Sequence, residues 1–206
     1  MTRYLFKPFD RIAGGPALGL GLFVIALTAL LAWNSGLVTD GVLDLHFAPT
    51  ANPGITLLQG LINWLSISLL LLLMGRWLSK SRFRTLDLLG TQALARWPVL
   101  LGVAFLSIPW VNREINARTQ ALMSAMPDDP SMVMASSEYL LDAMWLTVLS
   151  LPLLAMLVWL VWLMYHGYAL VTNQRGQRAV FSFIGALIAA EILSKALIVL
   201  LHRLVG

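Results

Sequence analysis

The sequence contains no cysteine, and only 12% of its 206 residues are charged. Without cysteine the chain can form no disulfide, no thiolate nucleophile and no cysteine-based zinc or iron–sulfur site. The scarcity of charge excludes an ordinary water-soluble domain, in which about a quarter of the residues are charged. Because 59% of the residues are hydrophobic, we expect an integral membrane protein that forms a single domain over residues 1–206.

The chain also lacks the sequence motifs of common enzymes. It contains no Gly-x-Ser-x-Gly elbow, no phosphate-binding glycine-rich loop with lysine and no His-Glu-x-x-His sequence. We therefore expect no enzyme, no catalytic residue and no cofactor. The net charge of +4 does not indicate a nucleic-acid partner, because no basic stripe with interleaved aromatic residues accompanies it.

Asp40, Asp44 and His46 lie close together in the sequence and invite a metal-site interpretation. Two carboxylates and an imidazole can bind a divalent ion. The simpler interpretation is a solvated loop with a turn at Asp40-Gly41, since Gly after Asp is a common turn signal. We predict the loop, and no metal site.

Five apolar segments are candidates to cross a membrane, which requires about 20 residues of helix. They cover about 16–37, 55–75, 97–111, 139–165 and 180–201. The third is short, so it must either tilt or begin before Pro98. The predicted fold class is therefore all-α, a polytopic bundle of five transmembrane helices.

The segment 82–97, before the third span, has two interpretations. Apolar residues recur there at helical spacing with polar residues between them, which is typical of an amphipathic helix lying in the cytoplasmic interface. The segment can equally be an extension of the third span. In the first case Arg82, Arg84 and Arg96 would form a lipid-facing basic patch, and each would attract anionic headgroups with about 1 kcal/mol.

Orientation follows from lysine and arginine, which favour cytoplasmic loops. With the N-terminus inside, the cytoplasmic segments hold ten basic residues: Arg3, Lys7, Arg11, Arg76, Lys80, Arg82, Arg84, Arg96, Arg175 and Arg178. The outer segments hold three: Arg113, Arg118 and Arg203. We therefore predict a multi-pass protein of the cell (inner) membrane, with its N-terminus in the cytoplasm and its C-terminus outside.

The fifth span carries two ionisable residues, Glu191 and Lys195. Each costs about 2.5–3.5 kcal/mol at the centre of a membrane helix, but at i and i+4 the two can pair, with Glu in the favourable N-terminal position. We weigh a structural ion pair used for packing against an intramembrane ion or proton site. Asp142, near the predicted outer end of the fourth span, is a candidate partner for Lys195.

Several diffuse motifs occur in a characteristic order along the chain. They are the N-terminal Phe6-Lys7-Pro8-Phe9-Asp10, the basic Arg82-Phe83-Arg84-Thr85-Leu86, the turn Ala95-Arg96-Trp97-Pro98, and the late segments Tyr165-His166-Gly167-Tyr168-Ala169-Leu170 and Gln174-Arg175-Gly176-Gln177-Arg178. In this order the chain resembles the bacterial branch of the Yip1 domain family, five-helix membrane proteins.

The resemblance implies a role in membrane organisation. Eukaryotic Yip1-type proteins are linked to vesicle traffic and to Rab-type GTPases, and they carry an N-terminal Asp-Leu-Tyr-Gly-Pro motif that this chain lacks, so GTPase binding is not expected here. We predict a non-enzymatic scaffold or adaptor in membrane organisation or trafficking-like processes, with the lipid bilayer, anionic headgroups and a protein partner or a second copy as its contacts. The alternative is a subunit of an ion or small-solute transporter or channel that uses Glu191.

Overall fold

The computed structural model describes residues 7–48, 52–79, 81–124 and 137–205, so Arg3 and Lys80 of the charge count above lie outside the described residues. The α-helices in these ranges are α1 Gly14–Asn34, α2 Pro53–Leu78, α3 Thr85–Leu94, α4 Trp97–Leu106, α5 Pro109–Ser124, α6 Ser137–Thr172 and α7 Gly176–Val205. A 3-10 turn, Pro8–Asp10, precedes α1. Two short strands, β1 Leu37–Val38 and β2 His46–Phe47, pair antiparallel between α1 and α2.

Five stretches of helix are long and apolar enough to cross a membrane: Gly14–Asn34, Pro53–Leu78, Thr85–Leu106, Tyr139–Thr172 and Gly176–Val205. The predicted all-α bundle is confirmed, and the protein is a multi-pass membrane protein. Its orientation in the membrane stays a prediction. We therefore name the two ends of the bundle by their residues: the hairpin end carries β1 and β2, and the basic end carries Arg76, Arg82, Arg84, Arg175 and Arg178.

The third span is built from two short helices, α3 and α4. Together they form one apolar stretch, Thr85–Leu106, more of which is buried inside the protein than of any other candidate span. Pro98 explains the break between them, because its ring has no N–H for the carbonyl of Leu94 and clashes with it. Of the two interpretations of segment 82–97, the structure gives the extension of the third span.

The tightest packing in the bundle is the crossing of α1 and α3, which glycine makes possible. A Cβ atom on Gly21 would lie 2.5 Å from the backbone nitrogen of Leu94, and one on Gly90 would lie 2.5 Å from the carbonyl oxygen of Gly14. Small residues let membrane helices approach closely enough for backbone to contact backbone. This crossing fixes α3, and therefore the start of α4, against α1.

The chain after α4 continues as helix before the next span. Its first part is helix α5, which lies alongside the start of α6. Arg118 of α5 forms an ion pair with Asp142 of α6 at 2.6 Å, and its guanidinium lies 5.3 Å from the ring centre of Trp145. With 36 residues, α6 is about 54 Å long, so it extends well past the hydrocarbon core.

We expect the substitution Gly21→Ala to destabilise the protein, because the added methyl group meets backbone atoms of α3 that cannot rotate aside. Overpacking of this kind costs about 1–3 kcal/mol, and it should appear as a lower midpoint of thermal unfolding in detergent. Gly19→Ala is the matched control, since Gly19 lies two residues away on α1 with open space around it. Equal midpoints for the two variants would contradict the close crossing.

Candidate functional site

Residues 37–47, here named the hairpin, enter the bundle between α2 and α7. Leu37 pairs with Phe47 and Val38 with His46, and the turn between the strands is irregular. The hairpin contacts α7 at Glu191 and Lys195, and Glu191 lies 14 residues before the end of this helix, about 21 Å at 1.5 Å per residue. Irregular backbone at such depth is tolerated where protein surrounds it or where it lines a cavity, and residues of the hairpin line a cavity here.

Glu191 of α7 anchors the turn of the hairpin. Its Oε2 accepts a hydrogen bond from the backbone N–H of Leu43 at 3.0 Å. Gly41 lies directly against the same carboxylate, and a Cβ atom there would be 2.7 Å from Glu191 Cδ. Both oxygens of Glu191 are engaged, since Oε1 faces the ammonium of Lys195 at 3.3 Å. The carboxylate is therefore part of the structural contact between the hairpin and α7.

Lys195 joins the same contact from one helical turn further on. Its Nζ lies 3.3 Å from Glu191 and 3.0 Å from Asp44 of the hairpin. The i, i+4 pair considered from the sequence is thus formed, and it is extended to a third residue. The suggested pairing of Lys195 with Asp142 is wrong, because Asp142 is bound to Arg118 of α5.

The three residues considered for a metal site do come together. The ring nitrogens of His46 lie 3.5 Å from Asp40 and 3.4 Å from Asp44. Within the described part of the chain, no group of three or more histidine, aspartate or glutamate side chains has metal-binding geometry. The hydrogen bond from Lys195 holds the pKa of Asp44 below its ordinary value, and His46 lowers it further.

Two polar side chains of α2 hold the other side of the hairpin. Asn63 Nδ2 donates to the carbonyl oxygen of Thr39 at 2.9 Å. Gln59 Nε2 lies 3.5 Å from Asp40 and 3.1 Å from Nε2 of His202, so it links the hairpin to α7. The segment predicted as a solvated loop is solvated only in part, since Val42 is 3% exposed whereas the Asp40, Asp44 and His46 side chains are 36–43% exposed.

Behind the hairpin lies a cavity of about 400 Å³. Its walls come from α1, α2, α4, α6 and the hairpin itself. Most of the lining is apolar, and the polar lining residues are Thr28, Thr39, Asp44, Thr56, Asn63, Arg96 and Ser150. Ser150 and Leu154 line it from α6 and are also exposed on the outside of the bundle, which places its opening beside that helix.

Arg96 is the buried cation of this cavity. It lies at the break between α3 and α4, and only 7% of it is exposed. Its Nε and Nη2 atoms are buried with no hydrogen-bond partner among the described residues. No described carboxylate forms an ion pair with it, and Glu191 acts on its charge at longer range. Asn63 Oδ1, in the same lining, is also buried without a partner in the described structure.

The structure separates the three residues of the predicted basic patch. Arg82 and Arg84 are exposed at the basic end, whereas Arg96 is buried twelve positions further along the chain from Arg84. Arg96 therefore does not belong to a lipid-facing surface, because the extended third span carries it into the bundle. It also leaves the count of cytoplasmic basic residues, which becomes nine (ten less Arg96) against three. The affinity of Arg82 and Arg84 for anionic lipid stays a prediction.

The sequence analysis did not identify α2 as the helix whose polar face contacts the hairpin. Thr56, Gln59, Asn63 and Ser66 recur at spacings of three and four residues, and all are buried. This is one face of a helix, and a polar face inside an apolar span indicates polar contacts in the bundle core. The pattern is visible in the sequence and would have located the docking surface of the hairpin.

No protein-family model, no curated protein and no solved structure matches this chain. The resemblance to the Yip1 domain family therefore stays a prediction.

We expect Gly41→Ala to displace the hairpin from α7, because the methyl group would occupy the position of the Glu191 carboxylate, which Leu43 and Lys195 hold in place. The chain has no natural thiol, so the reporter is Val42→Cys. This cysteine should react faster with a maleimide when Gly41→Ala is present than when Gly41 is retained. Gly185→Ala is the control, since Gly185 of α7 has open space around it. Unchanged labelling of Val42→Cys would contradict the docked hairpin.

We expect the Asp44–Lys195 contact to weaken in acid. Because the folded-state pKa of Asp44 is depressed, its stabilising contribution is present above the unfolded value of about 3.9 and is lost as pH falls through the folded-state value. Thermal midpoints of wild type and Asp44→Asn should differ at pH 7 and converge as the pH falls below 4. Asp87→Asn, at the opposite end of the bundle, is the control. A constant difference across this range would refute the contact.

Proposed function

We propose that this multi-pass membrane protein is a binding protein whose small-molecule ligand occupies the cavity behind the hairpin. The observation that carries the proposal is Arg96, a residue of the cavity lining, two of whose nitrogens are buried with no hydrogen-bond partner among the described residues. An unpaired charge inside a protein is strongly destabilising. Ionisable residues within membrane spans accordingly mark sites that bind or move something.

The cavity itself supports a binding role. Its volume of about 400 Å³ lies within the range of about 300–1,000 Å³ found for small-molecule sites. Such sites combine a mainly apolar lining with a few polar groups that orient the ligand. Here the polar groups belong to different elements, Thr28 to α1, Asn63 to α2 and Arg96 to the junction of α3 and α4.

The two functions predicted from the sequence stay predictions. For a transporter or channel built on Glu191, the difficulty is that both carboxylate oxygens are engaged by Leu43 and Lys195 and that Glu191 does not line the cavity. For a Yip1-type scaffold, the outer faces of α6 and α7 are apolar and exposed, as contact with either lipid or a partner protein requires. The arrangement around Arg96 favours the binding role over both.

The proposal is tested by filling the cavity. Val99 lies on α4 one turn from Arg96 and lines the cavity, so Val99→Phe should occupy the space and exclude the ligand. We expect native mass spectrometry of the full chain, extracted from its own membranes in mild detergent, to show a bound small molecule in the wild type and none in Val99→Phe. Leu101→Phe is the control, since Leu101 of the same helix is exposed. An equal mass adduct in all three proteins would contradict the proposal.

A further inference from the structure

We propose that the ligand of this cavity is an amphipathic anion with a single apolar chain, whose carboxylate or phosphate oxygens bind Arg96 while the chain lies along α4 and α6. The inference rests on the proposed binding function and specifies the chemical class of the ligand. It follows from the unpaired charge of Arg96, the arrangement of its unpartnered donors on the guanidinium and the distribution of the apolar lining.

The charge requirement comes from Arg96. A guanidinium keeps its positive charge under all conditions met in proteins, so burial cannot be relieved by loss of a proton. Glu191 acts on this charge without forming an ion pair with Arg96, and Asp44, the carboxylate among the lining residues, is paired with Lys195 instead. The missing partner of Arg96 is therefore an acceptor, and a negatively charged one makes the stronger hydrogen bond.

The geometry of the unpaired donors narrows the class further. Nε and Nη2, the two buried nitrogens without partners, lie on the same edge of the guanidinium, where their N–H bonds run parallel. Carboxylate and phosphate groups accept such a pair of hydrogen bonds together, with one oxygen for each N–H. A single carbonyl or hydroxyl oxygen would satisfy this edge only in part.

The rest of the lining requires an apolar body. Leu153, Leu157 and Leu160 of α6 and Val99 of α4 face the cavity, and a small inorganic anion would leave them against water. Leu154 and Ser150 lie where the cavity opens beside α6, a flank that faces the hydrocarbon of the bilayer. The volume of about 400 Å³ is small among ligand sites, which favours one chain over a whole diacyl lipid.

The experiment uses the purified full chain in nanodiscs of neutral phosphatidylcholine and a palmitate analogue with a photoreactive group near the end of its chain. After irradiation, mass spectrometry locates labelled peptides. We expect labelling on the segments of α4 and α6 that line the cavity, and competition by palmitate or by palmitoyl lysophosphatidate. Hexadecanol, the neutral compound of equal chain length, should compete about tenfold less well or worse, as expected for loss of a charge-assisted hydrogen bond.

The second measurement compares the photolabelling of variants of Arg96. Arg96→Gln should reduce labelling about tenfold or more. Arg96→Lys keeps the charge but loses the paired donors, so its labelling should lie between that of Arg96→Gln and that of the wild type. Arg84→Gln is the matched control and should label as the wild type does, because Arg84 is exposed at the basic end. If Arg96→Gln does not fold, the comparison of palmitate with hexadecanol on the wild type decides the question.

The outcomes separate this inference from the proposed function. Equal competition by hexadecanol, with labelling still abolished by Val99→Phe, would overturn the anionic class and leave the cavity as a binding site. Competition by diacyl phosphatidylglycerol but by neither single-chain anion would overturn the single chain. Labelling that avoids the cavity segments and ignores Val99→Phe would overturn the proposed function as well. The relative strength of palmitate and lysophosphatidate distinguishes a carboxylate ligand from a phosphate ligand.

Discussion

The hydrogen bond from the backbone N–H of Leu43 to the carboxylate of Glu191 is the contact on which the hairpin depends. A membrane interior offers no water to an irregular backbone, so each polar group must find its partner within the protein. The bond also requires Gly41, whose missing side chain leaves room for the carboxylate. With the hairpin docked, the space between α1, α2, α4 and α6 becomes a walled cavity; without it, that space would be a cleft open at one end.

A second constraint concerns charge. Lys195 alone contacts both Asp44 and Glu191, so near the hairpin the carboxylates outnumber the cation that binds them. Arg96 interacts electrostatically with Glu191, and Pro98 fixes the position of Arg96 by interrupting the third span two residues later. The bundle thus contains one cluster in which a lysine contacts two carboxylates and one buried arginine that forms no ion pair among the described residues. The proposed ligand site rests on the second arrangement.

The sequence predicted what hydropathy determines and missed what tertiary contacts determine. Five spans follow from the lengths of apolar runs, and the Glu191–Lys195 pair follows from helical spacing. The location of Arg96 could not be settled, because the residues before Pro98 suit an interfacial helix and an extended span equally well, and only their packing against α1 selects between them. The sequence indicated a turn in the hairpin but not its contacts with α2 and α7, because short-range turn signals say nothing about which helices lie beside it.

The distance along the chain between the hairpin and its anchor affects how the protein is made. Leu43 and Glu191 are separated by 148 residues, which takes a ribosome about 7–30 s to translate at 5–20 residues per second. Throughout that interval the turn of the hairpin has no carboxylate to bind, so its backbone must stay in contact with water or with the insertion machinery. The contact that holds the hairpin against α7 can therefore form only after the last helix has been synthesised, when the earlier spans have already left the ribosome.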